Sequence, residues 1–548
     1  MKRHEPLLLL CVLAISTQGY ASNNNDNDHD HDSCDFEATS KSYINFQQPF
    51  QPMTPEYVAG FRSMNHAAED GIGGAIQLAF FGGKTTKNSH LARYFAPFGI
   101  NAAKTPIRFG ADIGGVQQFD ILAQHFGVFT VNETNPETGT NPDTSDQFLS
   151  EVKLKPKQTM FGGGVQWRQS FWRNEEKGRG WWISFSFPIV HVKNHMHFRE
   201  NVVNAGGGAI PQDQLPEGVV AFANLTEAFE QEGWNFGKIK THGSLKKTRV
   251  ADIDLRFGYE WLQYEPYHLE SFVGLVIPTG NRPKAHHLFE AIVGNGGHFG
   301  LEWGAVYSMT IWECEEREAM ITMEHSAVNK YLFKREQVRS LDLKYKPWSR
   351  YIQLYRTQED AQAAATAEDA FSFTPGINVL TREVDVTPGY QFQLNSAFIF
   401  DWRGFELEGG FNLLARRAEC VELANNWNET AAIKALQGQG FTNPVRDMTG
   451  NPFLELTVIN PDIPPTPTLQ FPVPVANYAQ SIIKESDLDL NSAATPATLA
   501  YTIYGNLAYV FDIVGWPFLV DAGGSYTFAH ENSVIDRWTV WGKFGFAF

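Results

Sequence analysis

Segments of about ten residues in which every second position is apolar recur along this chain, separated by turn-forming residues. In 252–262 the apolar set is Ile253, Leu255, Phe257, Tyr259 and Trp261, while Asp252, Asp254, Arg256, Gly258 and Glu260 point the other way. Phe392, Leu394, Phe398 and Phe400 alternate likewise with Gln391, Gln393 and Asn395, and Phe405, Leu407, Phe411 and Leu413 with Glu406, Glu408, Asn412 and Arg416. Placing all such segments predicts fourteen strands, at 72–82, 107–117, 120–130, 158–171, 179–195, 249–262, 266–278, 297–312, 319–333, 389–400, 403–418, 498–512, 516–529 and 536–548. Twelve is the alternative count, because 107–130 is the weak region and Leu122-Ala123-Gln124 also fits a helix.

The links between these segments alternate in length. Short ones fall near 118–119, 172–178, 263–265, 313–318, 401–402 and 513–515, and long ones at 83–106, 131–157, 196–248, 279–296, 334–388 and 419–497; 530–535 is short where a long one is due. Short turns on one side and long loops on the other are the mark of a transmembrane antiparallel β-barrel, with periplasmic turns, external loops and both termini in the periplasm. A soluble sandwich would alternate too. It would not need Trp181, Trp261, Trp312, Trp402, Trp516 and Trp538 near strand ends, where a bilayer places its aromatic girdles. Nor would it end on Phe544, Phe546 and Phe548 sharing one face, since a bare terminal strand is an aggregation edge unless it is closed against another. This trio is read as the lipid-facing end of the closing strand and as the signal recognised by the barrel-assembly machinery.

Composition agrees. The 42 Phe, 14 Trp and 47 Gly stand with only 19% charged residues, and the mean hydropathy of −0.29 suits strands that show water every other residue. After residue 21 no stretch approaches the roughly 18 apolar residues of a membrane helix. Residues 1–21 have Lys2 and Arg3, an apolar core from Leu7 to Ile15, and Gly19 and Ala21 before a polar run, the layout of a secretory signal cleaved near Ala21. Its removal takes Lys2, Arg3 and Glu5 with it, so the net charge goes from −17 to −18, which disfavours nucleic acid as a partner. Residues 22–35 are rich in Asn, Asp and His and cannot bury a core; His29 and His31 there are read as solvated. Cys34, Cys314 and Cys420 are too few for a disulfide framework, although Cys314 and Cys420 could pair if their turns met.

The face opposite the apolar one carries the candidate chemistry. Arg168, Asp252, Asp254, Arg256, Glu260, Glu270, Glu302, Glu406, Glu408, Asn412, Arg416 and Asp521 all point inward in this reading. Unpaired buried charges cost several kcal/mol each, so this face must be wet or densely paired. A water-filled lumen and a closed salt-bridge network both satisfy that demand; the expected width of the barrel favours the first, and the excess of carboxylates favours cations or neutral solutes. Lys330, Lys334, Arg335, Arg339, Lys344, Lys346, Arg350 and Arg356 form an opposing run that an external loop could present to lipopolysaccharide phosphates.

No catalytic, cofactor or metal site is expected. His325, Ser326 and Asn329 have neither the order nor the spacing of an outer-membrane phospholipase centre. His191, His195, His197, His286 and His287 read as polar rim residues rather than metal ligands. In the long loops, Asn224-Leu-Thr-Glu227 predicts a helix start, and Thr430 to Gln437 a second helix beside the proline-rich 461–474.

The hairpin Ser271-Phe-Val-Gly-Leu-Val-Ile-Pro-Thr-Gly280, with its glycine-rich return Val293-Gly-Asn-Gly-Gly297, resembles the strand-loop-strand signature of FadL-like outer-membrane channels, including the group of phenol-degradation pathways. The resemblance covers under a tenth of the chain. It implies a barrel that passes hydrophobic or aromatic molecules and is partly plugged by its N-terminal segment, here 36–70 with Phe46, Phe50 and Phe61 as anchors. The expectation is therefore an outer-membrane barrel over 71–548, with large external loops at 196–248, 334–388 and 419–497, acting as a passive channel for small solutes. Its partners are outer-membrane lipids and lipopolysaccharide, the assembly machinery and a small-molecule solute. A structural or adhesion barrel with a closed lumen and working loops is the rival.

Overall fold

The computed structural model describes residues 40–52, 54–61, 73–96, 105–108, 121–122, 148–206, 220–264, 266–344, 348–360, 373–433, 445–446, 452–453, 482–529 and 535–548. The predicted signal sequence, the 22–35 tail and the proline-rich 461–474 lie outside them.

Twelve strands close into an antiparallel barrel: β1 (Gly74–Thr85), β2 (Lys157–Asn174), β3 (Arg179–His195), β4 (Ile253–Tyr264), β5 (Tyr267–Ile277), β6 (Gly300–Cys314), β7 (Ala319–Leu332), β8 (Gly389–Trp402), β9 (Phe405–Arg416), β10 (Thr498–Ile513), β11 (Trp516–Ala529) and β12 (Arg537–Ala547). Each pairs with the next, and β12 closes on β1 from Ala75 opposite Ala547 to Thr85 opposite Arg537. The outer part of β3 pairs instead with Leu245–Val250, which runs into β4 across Ala251 and Asp252. Among the described residues no helix is long and apolar enough to span a bilayer. The strands do so.

The count is the alternative twelve, not fourteen. β1 and β2 pair along their length, from Gly74 opposite Gln169 to Lys84 opposite Thr159, so no open edge remains where two more strands could enter. What is described of 107–130 belongs to a small four-stranded sheet outside the barrel, in which Thr105–Arg108 and Ile121–Leu122 pair in parallel beside Leu149–Lys153 and Arg199–Asn204. The alternation of links survives this correction. Short turns lie at 175–178, 265–266, 315–318, 403–404 and 514–515, and the connections at 86–156, 196–252, 278–299, 333–388, 417–497 and 530–536 lie at the other end.

Local sequence explains the rims. Arg403-Gly404 and Val514-Gly515 both take positive φ at their two positions, the backbone of the two-residue hairpin turn that matches strand twist. Three register shifts sit at the periplasmic end, near Trp261, between Ser170 and Trp172, and between Thr310 and Trp312. Each places two successive residues on the outside, Trp261-Leu262, Phe171-Trp172 and Ile311-Trp312, thickening the girdle at the interface. All six predicted girdle tryptophans are exposed. Phe544 and Phe548 are exposed as well, and Phe546 and Phe548 pack against Trp516 with ring centroids 6.1 and 6.2 Å away.

At the other end the long loops fold into a cap with cores of its own. One gathers Phe95, Phe148, Phe229, Trp234, Trp348 and Tyr351; the other gathers Leu341, Leu354, Leu380, Val384, Trp427 and Ile483. The helix start at Asn224 is present, its side chain accepting from Glu227 N at 2.9 Å. Of the helix expected over Thr430 to Gln437, the described start is not helical, since Ala432–Ile433 pairs as a strand with Leu354 and Tyr355, and 434–437 lie outside the described residues. Cys314 and Cys420 are free thiols.

Candidate functional site in the barrel lumen

Residues 40–61 run down the inside of the barrel. Ser40 sits in the cap, where its hydroxyl donates to Asp342 Oδ2 at 2.7 Å. Lower down, Arg416 Nη2 donates to the Asn45 carbonyl at 2.8 Å, and Arg537 Nη1 to the Gln47 carbonyl at 2.7 Å. Phe50 is fully buried; its ring stacks on Phe81 at 5.9 Å and meets Tyr57 edge-on at 5.3 Å. It lies so close to β2 that a Cβ added at Gly164 would overlap the ring, which is why the wall carries glycine there. Near the periplasmic end Gln77 Nε2 donates to the Tyr57 carbonyl at 3.0 Å, Gly60 N donates to Glu408 Oε2 at 2.9 Å, and Lys543 donates to the Ala59 carbonyl. Phe61 then packs with Ala75, Ala508, Leu519 and Ala547. The described chain thus starts at the external end and descends to the start of β1. β1 begins at the periplasmic end, as expected, and the residues that precede Ser40 lie outside the described ones.

Every one of the twelve candidate lumen residues is buried. Most of their charges face partners. Arg168 Nη1 and Nη2 fork onto Glu270 at 3.1 and 2.6 Å, and Nη2 also reaches Glu260 at 2.9 Å. Arg256 Nε donates to Glu302 at 2.6 Å, and Lys330 lies 3.9 Å from Asp254 and 4.0 Å from Glu302. Asp252 accepts from Asn295 N at 2.7 Å, Glu408 from Tyr504 at 2.8 Å, Asn412 from Gln393 at 3.3 Å, and Asp521 lies 3.3 Å from Lys543. Glu406 is buried on the same inward face of β9. Arg416 also donates to Thr498 at 3.0 Å. In this conformation much of the inner face is ion-paired around a threaded segment, the arrangement the sequence left as an alternative to open water, while Asp252 Oδ1, Asp254 Oδ1, Arg256 Nη2 and Asp521 Oδ1 have no hydrogen-bond partner among the described residues.

Lys330, Arg537 and Lys543 belong to this inner face and were absent from the sequence-derived set. The signal was available, since Lys543 alternates out of phase with Phe544 and Phe546, and Lys330 shares the phase of Ser326 and Val328. Their inclusion narrows the carboxylate excess. The external basic run is thinned: Lys330 is inside, Arg339 and Arg350 are buried in the cap against Glu419 and Asp342, Lys334 pairs with Asp385 at 2.8 Å, Arg335 is half-buried, Lys344 and Arg356 are exposed, and Lys346 lies outside the described residues.

Glu260, His268 and Glu270 bring ligand atoms within 4.8 Å of one another, a geometry that could admit a metal ion. Arg168 already occupies the place between the two carboxylates, so the group is complete as an ion-pair cluster. His325 and Ser326 are adjacent on β7 and so face opposite sides of the wall, which separates them as catalytic partners. His298, at the foot of the cap, donates from Nδ1 to the Phe333 carbonyl at 2.8 Å, which leaves Nε2 to accept from Gln337 at 2.8 Å. Burial holds its pKa below the ordinary value, keeping the ring neutral.

One cavity of about 70 Å3 lies among Tyr57, Phe61, Arg168, Trp182, Arg256 and Phe272, and another of about 20 Å3 lies between Gln47 and Gln51 and the wall residues Lys330 and Arg416.

The sequence matches no protein-family model and no curated protein. Among solved structures it is similar to an outer membrane channel of Pseudomonas putida F1, at 8% identity over 87% of this chain and 97% of that one with a TM-score of 0.37. It is also similar to the transport unit of the Escherichia coli autotransporter AIDA-I, at 7% identity over 90% and 98% with a TM-score of 0.31. A FadL homologue of Pseudomonas aeruginosa aligns at 8% identity over 87% and 89%, with a TM-score of 0.25. The TM-scores are too low for these likenesses to bear on function, and the barrel assignment rests on the closed ladder itself.

Proposed function

We propose that this protein is an outer-membrane channel through which small solutes, hydrophobic or aromatic ones included, diffuse passively along a polar, carboxylate-rich lumen stoppered by residues 40–61. The observation that carries the reading is the manner in which the segment is held: wall side chains grip its backbone at Asn45, Gln47, Tyr57, Ala59 and Gly60 by individual hydrogen bonds, in a lumen whose remaining polar groups can pair with water when it leaves. A paired interior also suits a barrel inserted after signal cleavage near Ala21, with the terminal Phe544, Phe546 and Phe548 presented to the assembly machinery and lipids, including lipopolysaccharide, around the wall.

Purified full-length protein in planar bilayers tests this. Discrete conductance steps with a reversal potential favouring cations are expected; silence under all voltages, also in a variant whose segment is loosened, refutes the channel, and anion preference refutes the carboxylate-lined path. The two hydrophobic cores of the cap favour a second reading, a structural or adhesion barrel whose loops do the work. The same silence, with surface binding intact, selects it.

A further inference from the structure

Four lysines from four adjacent strands meet on the outer wall at its external end. Lys84 on β1 stands opposite Thr159, Thr159 opposite Lys193 on β3, Lys157 on β2 opposite His195, and Lys193 opposite Lys246 on Leu245–Val250. Neighbouring strands lie about 4.8 Å apart, so the four side chains share a patch roughly 15 Å wide. Lys157 stands two residues from Thr159, the residue opposite both Lys84 and Lys193, and on the same outward face. None of the four has a carboxylate within ion-pair distance among the described residues. Like charges crowded together without a counter-charge among the described residues call for an anion to balance them.

Position says which anion. Immediately toward the membrane on the same strands stand Phe80, Phe161 and Ile189, exposed by 61, 55 and 49%. The lysines lie four residues beyond them, about 13 Å along the strand, where acyl chains give way to headgroups. Elsewhere this rim is aromatic: Phe299 stacks on Phe333 at 6.0 Å and Tyr331 meets Tyr390 at 4.8 Å. We infer that the outward face formed by Lys84, Lys157, Lys193 and Lys246 docks the phosphorylated sugar headgroup of an outer-leaflet glycolipid of the lipid A type, with its acyl chains on Phe80, Phe161 and Ile189. The inference rests on the outer-membrane placement proposed above.

The test is native mass spectrometry of the full-length protein from detergent with bis-phosphorylated lipid A, and with inorganic phosphate as competitor. Wild type is expected to retain lipid A, Lys157→Glu/Lys193→Glu to retain it at least about tenfold less, and Lys177→Glu at a periplasmic turn to leave it unchanged. Lys157→Gln/Lys193→Gln serves if the reversed pair fails to fold, which the heat-shifted mobility of the barrel reports. Equal retention by wild type and the double variant overturns the inference. Displacement of the lipid by millimolar phosphate also overturns it, assigning the patch to free anions. Channel conductance is recorded on the same variants and is expected to persist, so loss of the lipid site and failure of the channel reading are separate results.

Discussion

Replacing Phe50 by alanine removes the ring that wedges the threaded segment between Phe81, Tyr57 and the bare backbone of Gly164. Truncating a fully buried phenylalanine costs about 3–5 kcal/mol. The ring is partly shielded even when the segment lets go, so the lower value is appropriate, and about 3 kcal/mol multiplies the undocked-to-docked ratio roughly 150-fold. Phe50 contributes nothing to the barrel ladder, so the barrel itself should resist heat as before. The assay is single-channel recording: the open probability of Phe50→Ala should rise by one to two orders of magnitude over wild type, unless wild type is already mostly open. Gly164→Ala attacks the same contact from the wall and should loosen the segment similarly, because its methyl group overlaps the ring. In the Phe50→Ala background that methyl meets empty space, so the double variant should open no further than Phe50→Ala alone. Additive effects, or an unchanged open probability in both single variants, refute the idea that this contact holds the lumen shut.

Three further outcomes follow from the geometry. Arg168→Met strands Glu260 and Glu270 in the wall and should cost about 3–5 kcal/mol by denaturant unfolding, most of it recovered in Arg168→Met/Glu260→Gln/Glu270→Gln, since removing one partner costs more than removing all. His298 is held neutral in the cap, whereas an unfolded cap protonates it near its ordinary value of 6.5. The unfolded state then binds more protons below that pH, so cap stability should hold above about 6.5 and fall as pH drops through and below it, read by limited proteolysis, with His298→Gln flattening the profile. Changing Phe544, Phe546 and Phe548 to serine strips lipid-facing area from the closing strand and should lower the amount of heat-modifiable barrel in outer-membrane fractions; normal amounts would refute their role in assembly.

Most of the barrel was legible because its signal is local. Period two is written within each strand, so Arg256 and Glu260 could be assigned inward and Phe257 and Trp261 outward without knowing any neighbour, and the short turn at 513–515 followed from strand ends alone, while the one expected at 401–402 falls two residues later, at Arg403-Gly404. The region 107–130 misled for the same reason: alternation there is genuine for a few residues, but whether a strand joins a barrel depends on an edge being free, and β2 already occupies that edge of β1. Lys330, Arg339 and Arg350 misled because charge alone does not reveal burial, and Arg339 and Arg350 find Glu419 and Asp342 only once distant loops fold together.

By itself, then, the sequence determined that this chain spans a membrane with alternating strands, which face of each meets lipid, where its aromatic girdle lies and which end carries the loops. These follow from covalent spacing and from the transfer of side chains between water and lipid, which act residue by residue. Only the tertiary structure decided that twelve strands close the ring, that Lys330 and Lys543 complete the inner charge network, that residues 40–61 enter from the external end to fill the lumen, and that four lysines converge outside it. Each of these depends on groups far apart in the chain competing for one place, and such competition leaves no periodic trace in the order of residues.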